Sequence, residues 1–240
     1  MKVYPVFLIG LATQRCVVIG GGGEAECKVK GLLDCDAAVT VISAGVTEQL
    51  RVWAEAGAIT WVPRPYQTGD LRDAYLVIAT GHDPQTNTRI WQEAQAAGVL
   101  VNMTDDPAHS TFIAGSVVRQ GPLTIAISTS GQAPALAVRL RQRLEQEFGP
   151  EYAAWLDLLQ ELRKPLAAQY PDVHERRARW YGLIDSEVID LLREGRPDLA
   201  YQRVAEIVGG EVSGAMQHRS DAIQRSYAPG CRGSDRPCGQ

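Results

Sequence analysis

Nowhere does this chain carry an apolar run approaching the roughly 18 residues needed to cross a bilayer. Its first residues, Met1-Lys2-Val3-Tyr4-Pro5, lack the apolar stretch and small-residue cleavage site of a secretory signal. No membrane partner is expected, and the expected location is the cytoplasm. Positive charge is also short: 24 Lys and Arg against 28 Asp and Glu give a net charge of −4. That balance argues against broad nucleic-acid binding, so an anionic ligand has to be met by local groups. A cysteine framework is missing as well. Of the five cysteines, Cys16, Cys27 and Cys35 cluster early and Cys231 and Cys238 lie in a polar tail. An odd count without framework spacing reads as reduced thiols, and the spacing of the last two is not that of a zinc site, so no metal-holding set is expected. There is no internal repeat.

What the chain does have is Cys16-Val17-Val18-Ile19 running into Gly20-Gly21-Gly22-Gly23, followed at once by a helix-favouring segment through Leu33. Gly20 and Gly22 take the first two places of G-x-G-x-x-G/A, and Ala25 takes the third. The pattern suits a backbone that approaches a pyrophosphate closely, with the new helix's free N–H groups and positive end aimed at it. A second strand, Ala38 to Ile42, follows about 20 residues on, as the dinucleotide-binding unit requires.

Further strands are expected at Ala58–Val62, Tyr75–Ala79 and Val99–Asn102, alternating with helices over Val46–Gly57 and Pro84–Ala97. Val3 to Ile9, interrupted by Pro5, suits an edge strand or a packed lead-in. Five strands alternating with helices call for a doubly wound parallel sheet, with its ligand beyond the strands' carboxyl ends. Gly20, Ser43, Thr80 and Asn102 all fall on that edge and are candidate cofactor residues. The second strand ends in Ser43-Ala44-Gly45 where an NAD-binding unit usually places Asp or Glu. No arginine or lysine lies between Val39 and Leu50 to hold a 2′-phosphate, which keeps the expectation on NAD.

From Ser110 the character changes. Phe112–Arg119 and Leu123–Ser128 read as two strands joined by Gln120-Gly121-Pro122, a helix spans Ala135–Phe148, and helices follow to Val208. The tail from residue 211 on is expected to be disordered.

The segment Asn102-Met103-Thr104-Asp105-Asp106-Pro107-Ala108-His109-Ser110-Thr111-Phe112 leaves the fifth strand at its carboxyl edge. It therefore faces the cofactor, and it carries two carboxylates, an imidazole and several hydroxyls. Removing hydride from a reduced substrate leaves a cation that must lose a proton, and a carboxylate here could accept it.

Taken in order, Gly20-Gly21-Gly22 with Ala25, Ala79-Thr80 with Asn87, Asn102 to Phe112 and Ser128 to Pro134 resemble the precorrin-2 dehydrogenases. These form the amino-terminal module of siroheme synthase and also occur as separate proteins. The resemblance covers about Val3 to Gly149, and more weakly continues to about Val208. It implies an α/β fold: a doubly wound parallel Rossmann-like sheet (1–112), a small α+β dimerisation segment (113–149) and a helical C-terminal segment (150–210). It implies NAD-dependent oxidation of precorrin-2 to sirohydrochlorin by a homodimer, in some members followed by insertion of ferrous iron; ferrous or cobaltous ion is the expected metal substrate. Asp105 corresponds to the family's essential carboxylate. Cofactor contacts map to Gly22, Gly23 and Glu24 and to Ala44 and Gly45. A serine phosphorylated in one branch corresponds by count to Thr129. The substrate's acetates and propionates need donors, and Ser110, Thr111, Ser116, the turn Ser128-Thr129-Ser130-Gly131 and Arg139 are the candidates. No methyltransferase segment follows, so the chain is not expected to make precorrin-2. The competing class is a non-catalytic NAD-sensing domain, which needs the glycine turn and not the carboxylate cluster.

Overall fold

Arg15–Ile19 forms β1 because its last four side chains are buried in a β-branched run, with alternate residues leaving on opposite faces. The computed structural model describes residues 2–81 and 83–209. These fall into two compact units.

The first unit comprises residues up to Gly115 together with Ser128–Pro134. After β1 come α1 (Gly23–Leu33), β2 (Ala38–Ile42), α2 (Glu48–Glu55), β3 (Ile59–Val62), β4 (Leu76–Ala79), α3 (Pro84–Ala97) and β5 (Leu100–Met103). The strands make one parallel sheet in the order β3-β2-β1-β4-β5. The order reverses between β1 and β4, and a ligand crevice of a doubly wound sheet opens at such a switch. Two cores lie on the two faces. Cys16, Val18, Val39, Val41 and Ile78 pack with Ala25 and Val29 of α1 and Leu50 of α2, while Val17, Ile19, Val77, Val101 and Met103 pack with Ile90 and Ala94 of α3. Local chemistry sets the helix ends. Thr47 accepts the N–H of Leu50 and Asp83 that of Thr86, Pro84 opens α3, and Gly98 closes it at φ 67°.

Val3 to Ile9 departs from expectation. It forms no strand, and Tyr4, Phe7 and Ile9 are 88%, 67% and 89% exposed. The outer strands of the sheet are β3 and β5, and Pro5 has no N–H to give a ladder on either. The reduced-thiol reading holds for Cys16 and Cys35, which are free, and fails for Cys27, a half-buried residue of α1 that is disulfide-bonded. Burial pushes the Cys16 thiol up to about 11, so it behaves as a small core residue. Cys231, Cys238, His82 and the tail expected to be disordered lie outside the described residues.

The second unit contains β6 (Ser116–Gln120), β7 (Leu123–Ile127), α4 (Pro134–Glu147), α5 (Glu151–Gln169), α6 (Val173–Ile184), α7 (Val188–Arg193) and α8 (Pro197–Val208), with the first residue of α4 assigned to the first unit. The strands pair antiparallel, and a Cβ on Gly121 in their turn would sit 2.7 Å from that of Ala153. Trp155, Leu158, Leu162 and Leu166 line one face of α5 at helical spacing and meet Leu183, Leu192 and Val204. Pro165 forfeits one hydrogen bond inside α5, and the leucines on either side keep the helix packed across it. The nearly buried carboxylate of Glu151 is joined to Arg193 of α7 at 3.0 Å.

Because Leu162 is 1% exposed at the centre of this core, Leu162→Ala should cost about 2–5 kcal/mol. Urea unfolding should show a lower midpoint at an unchanged slope.

Candidate active site

Four consecutive glycines end β1, and they do two different things. Gly20 has φ 124°, and a Cβ there would stand 2.1 Å from Thr80 Oγ1. A Cβ on Gly21 would stand 1.9 Å from the carbonyl oxygen of Gly45. These two are needed by the fold, because the loops after β2 and β4 close over them. The Gly20 N–H donates to Ile42, the Thr80 N–H and hydroxyl both donate to Ile19, and the Thr47 N–H donates to Gly21. Gly22 and Gly23 are exposed, and a Cβ on either would meet nothing within 4 Å. Gly22 has φ −83°, which any residue adopts. Among the described residues no protein atom explains these two glycines, and they leave an open cradle at the start of α1, where no side chain of the described residues caps the N–H groups. That is the fit a pyrophosphate needs.

Around the cradle, Ala44 and Gly45 are exposed, while Ser43 is tied down. Its hydroxyl donates to the Gly45 carbonyl at 2.7 Å, and its carbonyl accepts the Trp61 indole N–H at 3.0 Å. Glu24 is exposed in the first turn of α1. Its neighbour Glu26 accepts the Thr47 hydroxyl at 2.6 Å, which fixes the loop after β2 against α1.

The carboxylate loop lies on the same edge. Thr104 N–H donates to Ala79 at the end of β4, next to Thr80, and the Asp106 N–H donates to Met103, so Thr104 and Asp105 form the tip of a tight turn. Asp105 is exposed there. Three candidate residues turn out to hold this loop in place. The Ser110 hydroxyl accepts the Met103 N–H (2.9 Å) and donates to the Asp106 carbonyl (3.0 Å). The Thr111 hydroxyl accepts the Val101 N–H at 2.8 Å, and Asn102, 6% exposed, donates its amide to the Phe112 carbonyl at 3.0 Å. The chain thus folds back along the outer edge of β5. Sequence reasoning missed the pairing of Asp106 with His109, which the Asp-Pro-Ala-His spacing of a capped turn could have signalled.

In the Ser128–Pro134 segment, Ser130 and Gly131 are both left-handed at φ 55° and 77°. The Ser128 hydroxyl accepts the Ser130 N–H, and the Thr129 hydroxyl accepts that of Ala133. Ser116 and Arg139 belong to the second unit, where exposed Arg139 donates to Gln142. Among the described residues, no group of three or more His, Cys, Asp or Glu could hold a metal ion.

Comparison with known proteins agrees with this architecture. Residues 7–116 match an NAD(P)-binding family, residues 120–147 the central region of sirohaem biosynthesis proteins, and residues 151–207 the sirohaem synthase dimerisation region. The chain thus carries, in order, an NAD(P)-binding region and the central and dimerisation regions of the sirohaem synthases. Siroheme synthase 1 of Aeromonas salmonicida (strain A449) is 30% identical over 230 residues, covering 96% of this chain and 48% of that protein. Siroheme synthase of Actinobacillus succinogenes is 32% identical over 200 residues, covering 83% and 42%. The chain therefore spans about half the length of the curated relatives it matches. The solved structure of SirC, a precorrin-2 dehydrogenase, superposes with a TM-score of 0.70 at 22% identity, covering 85% of this chain and all of that one. At that identity the likeness speaks for the fold.

The contrast between neighbouring glycines is testable. Gly21→Ala should destabilise the protein by about 1–3 kcal/mol or more, as overpacking does, whereas Gly22→Ala should leave the melting temperature unchanged. Thermal unfolding of the two variants checks this.

Proposed function

We propose that the protein oxidises precorrin-2 to sirohydrochlorin with NAD, as a cytoplasmic homodimer. The observation that carries the reading is a continuous chain of contacts along one sheet edge. Gly20 lies under Thr80, Thr80 follows Ala79, and Ala79 accepts the N–H of Thr104, the residue before Asp105. An open dinucleotide cradle and an exposed carboxylate are thus two strands apart. An NAD sensor has a use for the first and none for the second.

In this reading Gly22, Gly23 and the first N–H groups of α1 receive the pyrophosphate, with Glu24, Ala44 and Gly45 beside it. Thr80 and Asn102 border the path from the cradle to Asp105. When bound, the nicotinamide supplies the acceptor for the hydride that the macrocycle gives up. Asp105 then favours the positive charge left on the macrocycle and takes the proton it releases. NAD fits better than NADP because β2 ends without a cation; the next one, Arg51, is paired with Glu48 at 3.5 Å. Ser128, Thr129, Ser130 and Gly131 are the proposed donors for the substrate's carboxylates, since the Ser110 and Thr111 hydroxyls are engaged with β5. Ferrous ion would be a second substrate: it enters as two pyrrole protons leave, and the same carboxylate can accept a proton in that step.

The homodimer is supported by the match to the dimerisation region and by the β6–β7 hairpin, in which Val118 alone is fully buried. Two strands by themselves are marginal in water.

Supplying precorrin-2 and NAD should produce NADH and sirohydrochlorin, followed by absorbance; binding of NAD with no turnover would favour the sensor. Gly22→Asp should abolish NAD binding in calorimetry with the fold intact, by placing a carboxylate where the pyrophosphate approaches. Asp105→Asn should keep NAD affinity and lose about 10²-fold or more in kcat. Sedimentation at micromolar concentration should give a dimer.

A further inference from the structure

Asp106 and His109 form a pair that the roles above leave unused. Asp106 Oδ1 accepts the backbone N–H groups of Ala108 (3.2 Å) and His109 (3.3 Å), while its Oδ2 stands 2.5 Å from His109 Nδ1. The contact with His109 is the main cause holding the Asp106 carboxyl below its usual range. An ionised carboxylate only accepts hydrogen bonds, so Nδ1 beside it is the donor and Nε2 is left as the nitrogen available for proton exchange. On its other side the imidazole meets Trp91 of α3 edge-on, with ring centroids 5.5 Å apart. The ring is oriented from two sides while 42% of the His109 side chain stays accessible. A base oriented by a carboxylate is the arrangement that prepares an imidazole to take up a proton.

The pair shares with Asp105 the seven-residue loop Met103–His109, and the Ser110 hydroxyl bonds to Met103 and Asp106 within it. A tetrapyrrole seated against Asp105 would cover that carboxylate from solvent, so the proton it collects needs a second acceptor before the next cycle. We propose that His109, oriented by Asp106, relays the proton of the oxidation from Asp105 to solvent. This rests on the dehydrogenase reading of the same site. The step balances: one macrocycle C–H bond breaks with its electron pair passing to the cofactor, and one further macrocycle proton passes to Asp105. Asp105 then releases that proton through water to Nε2 of His109. His109 then gives the proton to bulk water, and both bases are restored. His109 is a positioning and relay residue in this scheme, and it need not touch the substrate.

The test compares wild type, His109→Ala, His109→Gln and Asp106→Asn with precorrin-2 and NAD. His109→Ala and His109→Gln should lower kcat about tenfold, less than the ~10²–10⁴ of a direct acid–base group, with NAD affinity and KM unchanged. Imidazole in the buffer should restore most of the rate of His109→Ala. Asp106→Asn should lose less, and imidazole should not restore it. Wild-type kcat in both His109 variants, a loss confined to KM or NAD affinity, or a loss that imidazole leaves untouched would overturn the relay. If wild type itself makes no NADH, the dehydrogenase reading fails and the relay with it; if wild type turns over and the variants match it, only the relay fails.

Discussion

The close approach of Thr80 to Gly20 is the constraint on which the rest of the first unit depends. A carbonyl at the end of β1, that of Ile19, accepts both the N–H and the hydroxyl of Thr80, and the distance allows no Cβ on the glycine between them. This contact draws β4 against β1 at the point where the strand order reverses. It sets where α1 begins, and so where its free N–H groups point. It also sets where β5 ends relative to β1, because β5 is in register with β4 from Leu76↔Leu100 to Ala79↔Met103. The cradle and the carboxylate loop are therefore placed by one packing event.

Much of the fold was legible in the chain because its signals are local and strong. Continuous apolar runs such as Leu76-Val77-Ile78-Ala79 mark strands buried on both faces, and the helix expected over Pro84–Ala97 has those bounds in the structure. The lead-in Val3–Ile9 was misread because its composition resembles a strand, and composition alone does not reveal whether a run finds a partner to pair with. Cys27 was misread because pairing is a matter of distance in space, which cysteine counting does not contain.

The site was legible in position more than in role. Gly20, Gly22, Thr80 and Asp105 are recognisable from spacing and from the carboxyl edge of the sheet. Which glycine serves the fold and which is left open depends on the loops after β2 and β4, separated from the turn by tens of residues. Ser110, Thr111 and Asn102 look like free polar groups in the sequence, and in the structure their hydrogen bonds go to the backbone. A polar side chain beside a site has two uses, and geometry decides between them.

The fold-back of Ser110–Phe112 along β5 has a consequence for motion and for solubility. An outer strand normally presents a row of unmet donors and acceptors to any passing chain, and here the chain's own hydroxyls and amides occupy them. The same bonds fasten the carboxylate loop to the sheet. Lifting that loop would strip β5 of its cover and expose a sticky margin, so its opening carries the free-energy cost of fraying a sheet instead of that of a swinging surface loop. The loop should accordingly exchange its amide protons at the slow pace of the strand it covers, and it works as part of the scaffold rather than as a lid.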